Sequence, residues 1–237
     1  MHNARAKISS YVCVANVHML LEAYDSIEFR KVVNSAYLVT PDGMPIAKSF
    51  KILYQKEQER VDGMSLLPTL LSECEEKKLS VYFYGGTQTM LDQTGSYISQ
   101  NYPLLKISGL YSPPFRDLSV SEMDDIASQI TNSGANIVFV VLGCPKQEKW
   151  MHAMQDKILS IMIGIGGALP VLIGMQKRAP EWMQKNSLEW LYRLKQEPRR
   201  LFKRYFRTNN LFLFLLAKEQ LKKTRKKNKW KKKQKFM

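Results

Sequence analysis

Apolar residues along this chain fall into two alternating patterns. Short, near-continuous runs alternate with longer stretches in which apolar positions recur at helical spacing. The first run, Tyr11-Val12-Cys13-Val14-Ala15-Asn16-Val17, reads as a strand buried on both faces, with polar Asn16 near its end. His18 to Asn34 is helical in pattern, through Met19, Leu20, Ala23, Ile27 and Val32, with a break at Asp25-Ser26. Tyr37 to Thr40 is a second strand. Gly43 to Gln55 and Gly63 to Lys78 are predicted helices. Ser80 to Tyr84 is a third strand and runs into Gly85-Gly86-Thr87. Then come a helix (Met90 to Gln100), a strand (Leu104 to Leu110) and a helix (Ser119 to Asn132). Ile137 to Leu142, the most apolar strand, ends in Gly143-Cys144-Pro145. A helix from Lys146 to Lys157 leads to the strand Ile158 to Ile165, which closes on Gly166-Gly167.

Regular alternation of strand and helix predicts an α/β chain: a Rossmann-like parallel sheet flanked by helices. In a parallel sheet the carboxyl ends of the strands share one edge, where such folds bind ligands. Asn16, Asp42, Gly85, Gly86, Gly143, Gln147, Gly164 and Gly166 all lie at or just after strand ends, so they are expected to converge around one crevice.

The texture changes near Pro180. Trp182 to Lys195 reads as one amphipathic helix. Pro198 is expected to interrupt it, and Arg199 to Phe206 to resume, with Arg199, Arg200, Lys203 and Arg204 among Leu201, Phe202, Tyr205 and Phe206. Leu211 to Ala217 is short and apolar. Leu221 to Met237 is nearly all lysine and is expected to be disordered at its end.

Charge sharpens this division. The net charge is +15, yet residues 1–188 carry 18 Lys+Arg against 18 Asp+Glu. Residues 189–237 hold the other 18 basic residues against Glu189, Glu197 and Glu219. The expected organisation is therefore a Rossmann-like domain over 1–188 and a basic amphipathic appendage over 189–237. Hydrophobic residues make up 45% of the chain, enough for a substantial core. Cys13, Cys74 and Cys144 are far apart and form no CxxC pair, which fits a reducing compartment and no zinc site. The polar start, Met1 to Ser10, has no apolar signal core, and no run approaches the ~18 apolar residues of a spanning helix.

Candidate chemistry centres on Thr40-Pro41-Asp42-Gly43, one carboxylate between a proline and a glycine at a strand end. Asp-Gly is also an ordinary turn pair. Gly85-Gly86-Thr87 can offer backbone N–H groups to a phosphate, or can simply turn the chain. Gly143-Cys144-Pro145-Lys146-Gln147-Glu148 places Gln147 and Glu148 in the first turn of a helix, to bind a polar ligand or to satisfy the helix dipole. His2, His18 and His152 are scattered, with no Asp-x-Asp pair for a divalent ion and no Gly-x-Ser-x-Gly. A departing anion would have to be met by cations such as Arg193, Arg199, Arg200 and Arg204.

Nine segments in this order resemble the WecG/TagA/CpsF family of bacterial glycosyltransferases. They are Val14 to His18, Thr40 to Pro45, Glu59 to Gly63, Tyr84 to Gly86, Gly109 to Phe115, Gly143 to Glu148, Gly164 to Gly167, Lys177 to Pro180 and Glu189 to Leu194. The resemblance spans about Tyr11 to Tyr205. It implies an inverting, metal-independent transfer of a hexose or N-acetylhexosamine-type sugar, with no cofactor. The sugar would move from a UDP-sugar to a polyprenyl-diphosphate-linked saccharide in cell-surface polysaccharide synthesis. It implies Asp42 as the base, with Asn16 and Gln147 as polar pocket residues. Val14 stands where some members carry Thr, so that hydroxyl is absent here.

On this reading Gly85, Gly86, Tyr111, Gly143, Gly164 and Gly166 surround UDP, and Arg193 and Arg200 lie over a diphosphate. The appendage is expected to bind an anionic membrane at the cytoplasmic face peripherally, leaving a homo-oligomer open. A basic-tailed nucleic-acid-binding protein is the competing reading, disfavoured by the charge-balanced body. A non-catalytic membrane scaffold is another.

Overall fold

The six strands of the computed structural model form one sheet in the order β2-β1-β6-β5-β3-β4. The structure describes residues 1–234; within this range the side chains of residues 200 and 226–234 lie outside the described set. In chain order the elements begin α1 (His2–Arg5), β1 (Ser10–Ala15), α2 (Val17–Asp25), α3 (Ile27–Asn34), β2 (Leu38–Pro41), α4 (Met44–Tyr54) and α5 (Gly63–Glu76). They continue β3 (Val81–Gly85), α6 (Gln88–Asn101), β4 (Ile107–Tyr111), α7 (Val120–Asn132), β5 (Ile137–Val141), α8 (Lys146–Met154), β6 (Ile161–Gly164) and α9 (Ala168–Leu172). The chain finishes with α10 (Glu181–Lys185), α11 (Glu189–Gln196) and α12 (Pro198–Gln234). This is the Rossmann-like α/β architecture that the alternation predicts.

Two units divide the chain. Unit 1 comprises Met1–Val14, Glu22–Thr40 and Val61–Arg178, and unit 2 comprises Ala15–Leu21, Pro41–Arg60 and Ala179–Met237.

Unit 1 holds nearly all of the sheet and the main core. Every residue of β3 and β5 is buried, as apolar runs covered by helices on both faces require. Phe83 and Phe139 lie side by side across the β3–β5 register, their ring centroids 5.2 Å apart, among Val12, Val14, Leu67, Leu71, Leu91 and Ile163. Val14 belongs to this core cluster. Local capping sets several helix starts. Asp62 accepts from the Ser65 N–H at α5, Thr87 from Met90 at α6, and Ser119 with Glu122 forms a capping box at α7. The α2–α3 break comes at Ser26, which caps α3 through the Phe29 N–H.

Unit 2 is mostly helical. Leu201 and Phe212 of α12 are buried, and α12 packs on α4 and α11. Trp190 meets Tyr205 edge-on at 5.9 Å, and Lys223 lies 3.6 Å over the Tyr54 ring while donating to the Leu53 carbonyl at 2.9 Å.

Helix boundaries in this unit differ from expectation. The expected single helix from Trp182 to Lys195 is two, because Ser187 adopts φ 64° after the Asn186 cap. The interruption expected at Pro198 is present, since α11 ends at Gln196 and α12 begins at Pro198, but the helix that resumes runs for 37 residues and not only to Phe206. At a first helical position proline's missing N–H costs nothing, since that group has no intrahelical acceptor. The lysine run expected to be disordered at its end is helical through Gln234, and 235–237 lie outside the described residues.

Candidate active site

The candidate residues fall on both units. On unit 1, the carboxyl ends of β4, β3, β5 and β6 stand side by side, because Tyr84 pairs with Tyr111, Gly85 with Val141 and Val140 with Gly164. Gly85 has φ 106°, and a Cβ there would lie 2.5 Å from the Val141 carbonyl oxygen. The close turn lets the Gly86 N–H donate to that carbonyl at 2.9 Å. Only glycine fits both demands. Tyr111 stacks on Tyr84 at 5.9 Å, and Tyr84 stacks in turn on Trp150 at 4.0 Å, so Tyr111 is the half-buried end of an aromatic row.

Gln147 reaches the same strand edge from α8. Its amide occupies the space that a Cβ on Gly164 would need, 2.8 Å from that position, and its Oε1 lies 3.3 Å from the equivalent point on Gly166. Gly143 and Gly166 approach similarly, with the Gly143 Cα 3.9 Å from the Gly166 Cβ position. The structure thus brings together Gly85, Gly86, Tyr111, Gly143, Gln147, Gly164 and Gly166.

Glu148, in the first turn of α8, does not face solvent. It is fully buried and accepts from Gln147 Nε2 at 2.6 Å. Burial pushes its carboxyl above the ordinary carboxylate range, and the bond from Gln147 offsets that in part. Gln147 Oε1 and Glu148 Oε2 are buried and carry no hydrogen bond among the described residues. Oxygens left bare in this way are costly, and they suit a ligand that brings donors such as hydroxyl groups.

On unit 2, β2 ends at Pro41 and delivers Asp42 into the turn before α4. The Asp42 N–H donates to the Ala15 carbonyl at 2.8 Å, which sets Asp42 beside the end of β1. Asn16 follows immediately, and its Oδ1 accepts the Met19 N–H at 3.2 Å, so the side chain caps the start of α2. Gly43 serves as the α4 N-cap position and Pro45 sits in the first turn. Arg193 is half-buried on α11, one turn beyond Glu189. Arg200 lies outside the residues whose side chains are described.

Arg60 was not singled out by the sequence as a site residue, although it lies in one of the nine segments. Its Nε donates to the Asp42 carbonyl at 2.6 Å and its Nη2 to Glu189 Oε2 at 2.6 Å. The signal was the charged Glu59-Arg60-Val61-Asp62-Gly63 run, but a charge in a loop does not reveal its distant partner.

Residues 1–226 match the model of the Glycosyl transferase WecG/TagA/CpsF family. A Bacillus subtilis (strain 168) protein named N-acetylglucosaminyldiphosphoundecaprenol N-acetyl-beta-D-mannosaminyltransferase is 31% identical over 224 residues, covering 94% of this chain and 85% of its own. A protein of the same name from Bacillus spizizenii is 30% identical, over 81% of this chain and 73% of its own. Another from Staphylococcus aureus (strain MW2) is 26% identical, over 90% and 81% respectively. With nearly the whole length matched, from the strand-end glycines to the helices around Asp42, the chain belongs to the WecG/TagA/CpsF family of glycosyltransferases.

Proposed function

We propose that this glycosyltransferase moves a hexose or N-acetylhexosamine-type sugar from a UDP-sugar to a polyprenyl-diphosphate-linked saccharide, with inversion and without a metal ion or cofactor. The observation that carries the reading is Asp42, a carboxylate at the end of β2 with its backbone N–H and carbonyl both bound. The relatives' name supports the acceptor class, since it describes transfer of an N-acetylmannosaminyl group to N-acetylglucosaminyldiphosphoundecaprenol.

In the proposed reaction Asp42 takes the proton of the acceptor hydroxyl as its oxygen bonds to the anomeric carbon. The bond from that carbon to the diphosphate breaks, and UDP leaves with the electron pair. A single displacement needs one base and inverts the centre. Gly85, Gly86, Gly143, Gly164 and Gly166 let backbone approach UDP, and Tyr111 offers a ring face or a hydroxyl to uracil. Gln147 presents polar groups to the sugar or the acceptor, as does whatever Asn16 leaves free after capping α2. Arg193 and Arg200 compensate the diphosphate charge.

The site would work at the cytoplasmic face of the membrane, with the protein attached peripherally. No helix among the described residues is long and apolar enough to cross a membrane. Support comes from α12, which has two apolar stripes. Leu201 and Phe212 are buried, whereas Phe202, Phe206, Leu213 and Phe214 remain 60–67% exposed. The spacing of Phe202, Phe206 and Leu213 puts them on one face, and the basic residues Lys203, Arg207 and Lys218 flank it. An exposed apolar face bordered by cations is the composition of a helix lying in an anionic lipid surface.

The test is a panel of UDP-sugars offered to the full-length protein with a lipid-diphosphate-N-acetylglucosamine acceptor, with and without chelator. Expected is a chelator-insensitive product whose new linkage has the opposite anomeric configuration to the donor. Retention of configuration, or activity abolished by chelator and restored by a divalent ion, overturns the mechanism. Absence of transfer from every UDP-sugar overturns the donor class.

A further inference from the structure

The Glu59-Arg60-Val61-Asp62-Gly63 motif has no part in the reaction as described, yet two of its side chains each hold a segment far along the chain. Asp62 caps α5 and accepts Arg178 Nη2 at 3.1 Å within unit 1. Arg60 does the corresponding work within unit 2, bridging the Asp42 carbonyl to Glu189, the first residue of α11.

The geometry of the second bridge is restrictive. Both bonds measure 2.6 Å, and the Arg60 and Glu189 side chains are only 12% and 17% exposed. A guanidinium is a rigid planar fork, so fixing one N–H direction fixes the other. Glu189 therefore decides where Arg60 Nε points, and Nε points at Asp42. Since the Asp42 N–H is already held by Ala15, both of that residue's backbone polar groups are anchored. The Asp42 side chain therefore starts from a fixed backbone. Lys48 adds a further tie between α4 and the α10–α11 turn, donating to Ser187 Oγ at 3.4 Å.

We propose that Arg60 is the positioning residue for Asp42, and that Glu189 holds Arg60 in place, so the seating of α11 sets the aim of the carboxylate. The inference rests on Asp42 being the general base. A small misplacement of a reacting group costs on the order of 10²-fold in rate. Arg60→Lys keeps the charge but can serve only one of the two acceptors. Glu189→Ala frees the fork, and Glu189→Gln keeps an acceptor of the same shape.

Each substitution is made in the full-length chain, alone and together with Asp42→Asn, and assayed on a soluble acceptor. Expected for Arg60→Lys and Glu189→Ala is a fall in kcat of about 10- to 100-fold, with little change in KM for the UDP-sugar. Glu189→Gln should recover much of the loss. In the Asp42→Asn background the same changes should cost less than about twofold, because nothing is left to aim. Amide exchange of residues 41–46 should quicken in Glu189→Ala. Equal losses in both backgrounds, or losses confined to KM, overturn the proposal. If Asp42→Asn alone turns over normally, the general-base reading fails instead. Exchange then decides whether Arg60 holds the turn, and unchanged exchange in Glu189→Ala overturns that as well.

Discussion

The strand edge of unit 1 and the Asp42 turn of unit 2 are held by different physics. The strand edge takes its shape from backbone. Gly85, Gly86, Gly143 and Gly166 all have positive φ, and buried apolar strands lie behind them. The Asp42 turn takes its shape from hydrogen bonds, one of them from a guanidinium paired with a carboxylate 129 residues away. A surface made by backbone conformation suits recognition of an extended, charged ligand. A turn held by a shielded ion pair suits precise aim of one group. The two regions should therefore fail differently when disturbed.

The largest expected effect separates them by chemistry. Asp42→Asn keeps the shape of the turn and removes the proton acceptor. A general base contributes ~10²–10⁴-fold, so kcat should fall by that order while UDP-sugar affinity, measured by calorimetry, is preserved. Gly86→Val should do the reverse. A Cβ at Gly86 would meet the flexible Met90 side chain, 2.9 Å from its sulfur, but a β-branched residue at φ 77° must shift the backbone that faces the ligand. UDP affinity should drop in a chain that still folds. Loss of UDP affinity in Asp42→Asn, or none in Gly86→Val, would erase the distinction.

A second pair of substitutions tests whether backbone alone shapes the strand edge. Gly85→Ala combines φ 106° with a Cβ 2.5 Å from the Val141 oxygen, and should cost about 2–4 kcal/mol of stability. Gly143→Ala has φ 76° with nothing within 4 Å of its Cβ, so only the conformational term applies, about 1–2 kcal/mol. Urea denaturation of both variants checks the order. Equal losses would mean that the contact with Val141 relaxes freely.

How much of this was legible in the sequence follows from the same contrast. The strand edge was legible because its determinants are local. An apolar run followed by glycine marks a strand end wherever it occurs, and parallel pairing then brings such ends together. The Asp42 turn was legible only as a carboxylate at a strand end. Its partners Ala15, Arg60 and Glu189 come from three distant segments, and no spacing rule joins them. Glu148 was legible only as a first-turn residue open to two readings, for a related reason. A first-turn glutamate is usually explained by the helix dipole, and only the packing of α8 against the sheet shows that it is buried. The α10–α11 break was missed because no proline or glycine marks Asn186-Ser187. The break at Pro198 was legible from proline's missing N–H, but the length of the helix after it was not, because the short apolar run and the lysine run do not read as one continuous element.

The exposed stripe of α12 gives a smaller, cleaner perturbation. Phe206→Ser with Phe214→Ser removes two rings that are 67% and 61% exposed. Each buried aromatic contributes on the order of 1.5–3 kcal/mol to partition into an apolar phase. The fraction bound to anionic vesicles should fall by at least about tenfold, and thermal stability should stay unchanged. Turnover of a soluble acceptor should stay within about twofold, since neither residue has a role in the proposed reaction. Undiminished vesicle binding would mean that the stripe is not the lipid-facing surface.

The smallest effect concerns Glu148, where the strand edge does carry a charge-bearing group. Burial raises its carboxyl above the ordinary carboxylate range, so the folded chain holds that proton more tightly than the unfolded chain does. The resulting stabilisation is fully present below the unfolded value, near pH 4.3, and is lost as pH rises toward the higher folded value. The neighbouring thiols do not titrate in that interval, because burial pushes Cys13 up to about 12 and also raises Cys144. Glu148→Gln keeps an acceptor for the Gln147 amide and removes the titration. Its melting temperature should therefore fall less steeply than that of the parent chain as pH is raised from about 4 to 8, with the two curves closest at the acid end. Parallel curves would show that Glu148 carries no raised pKa in the folded chain. The hydrogen bond from Gln147, and donors brought by a ligand or by water to the bare Oε2, would then have to sustain a buried carboxylate in its charged form.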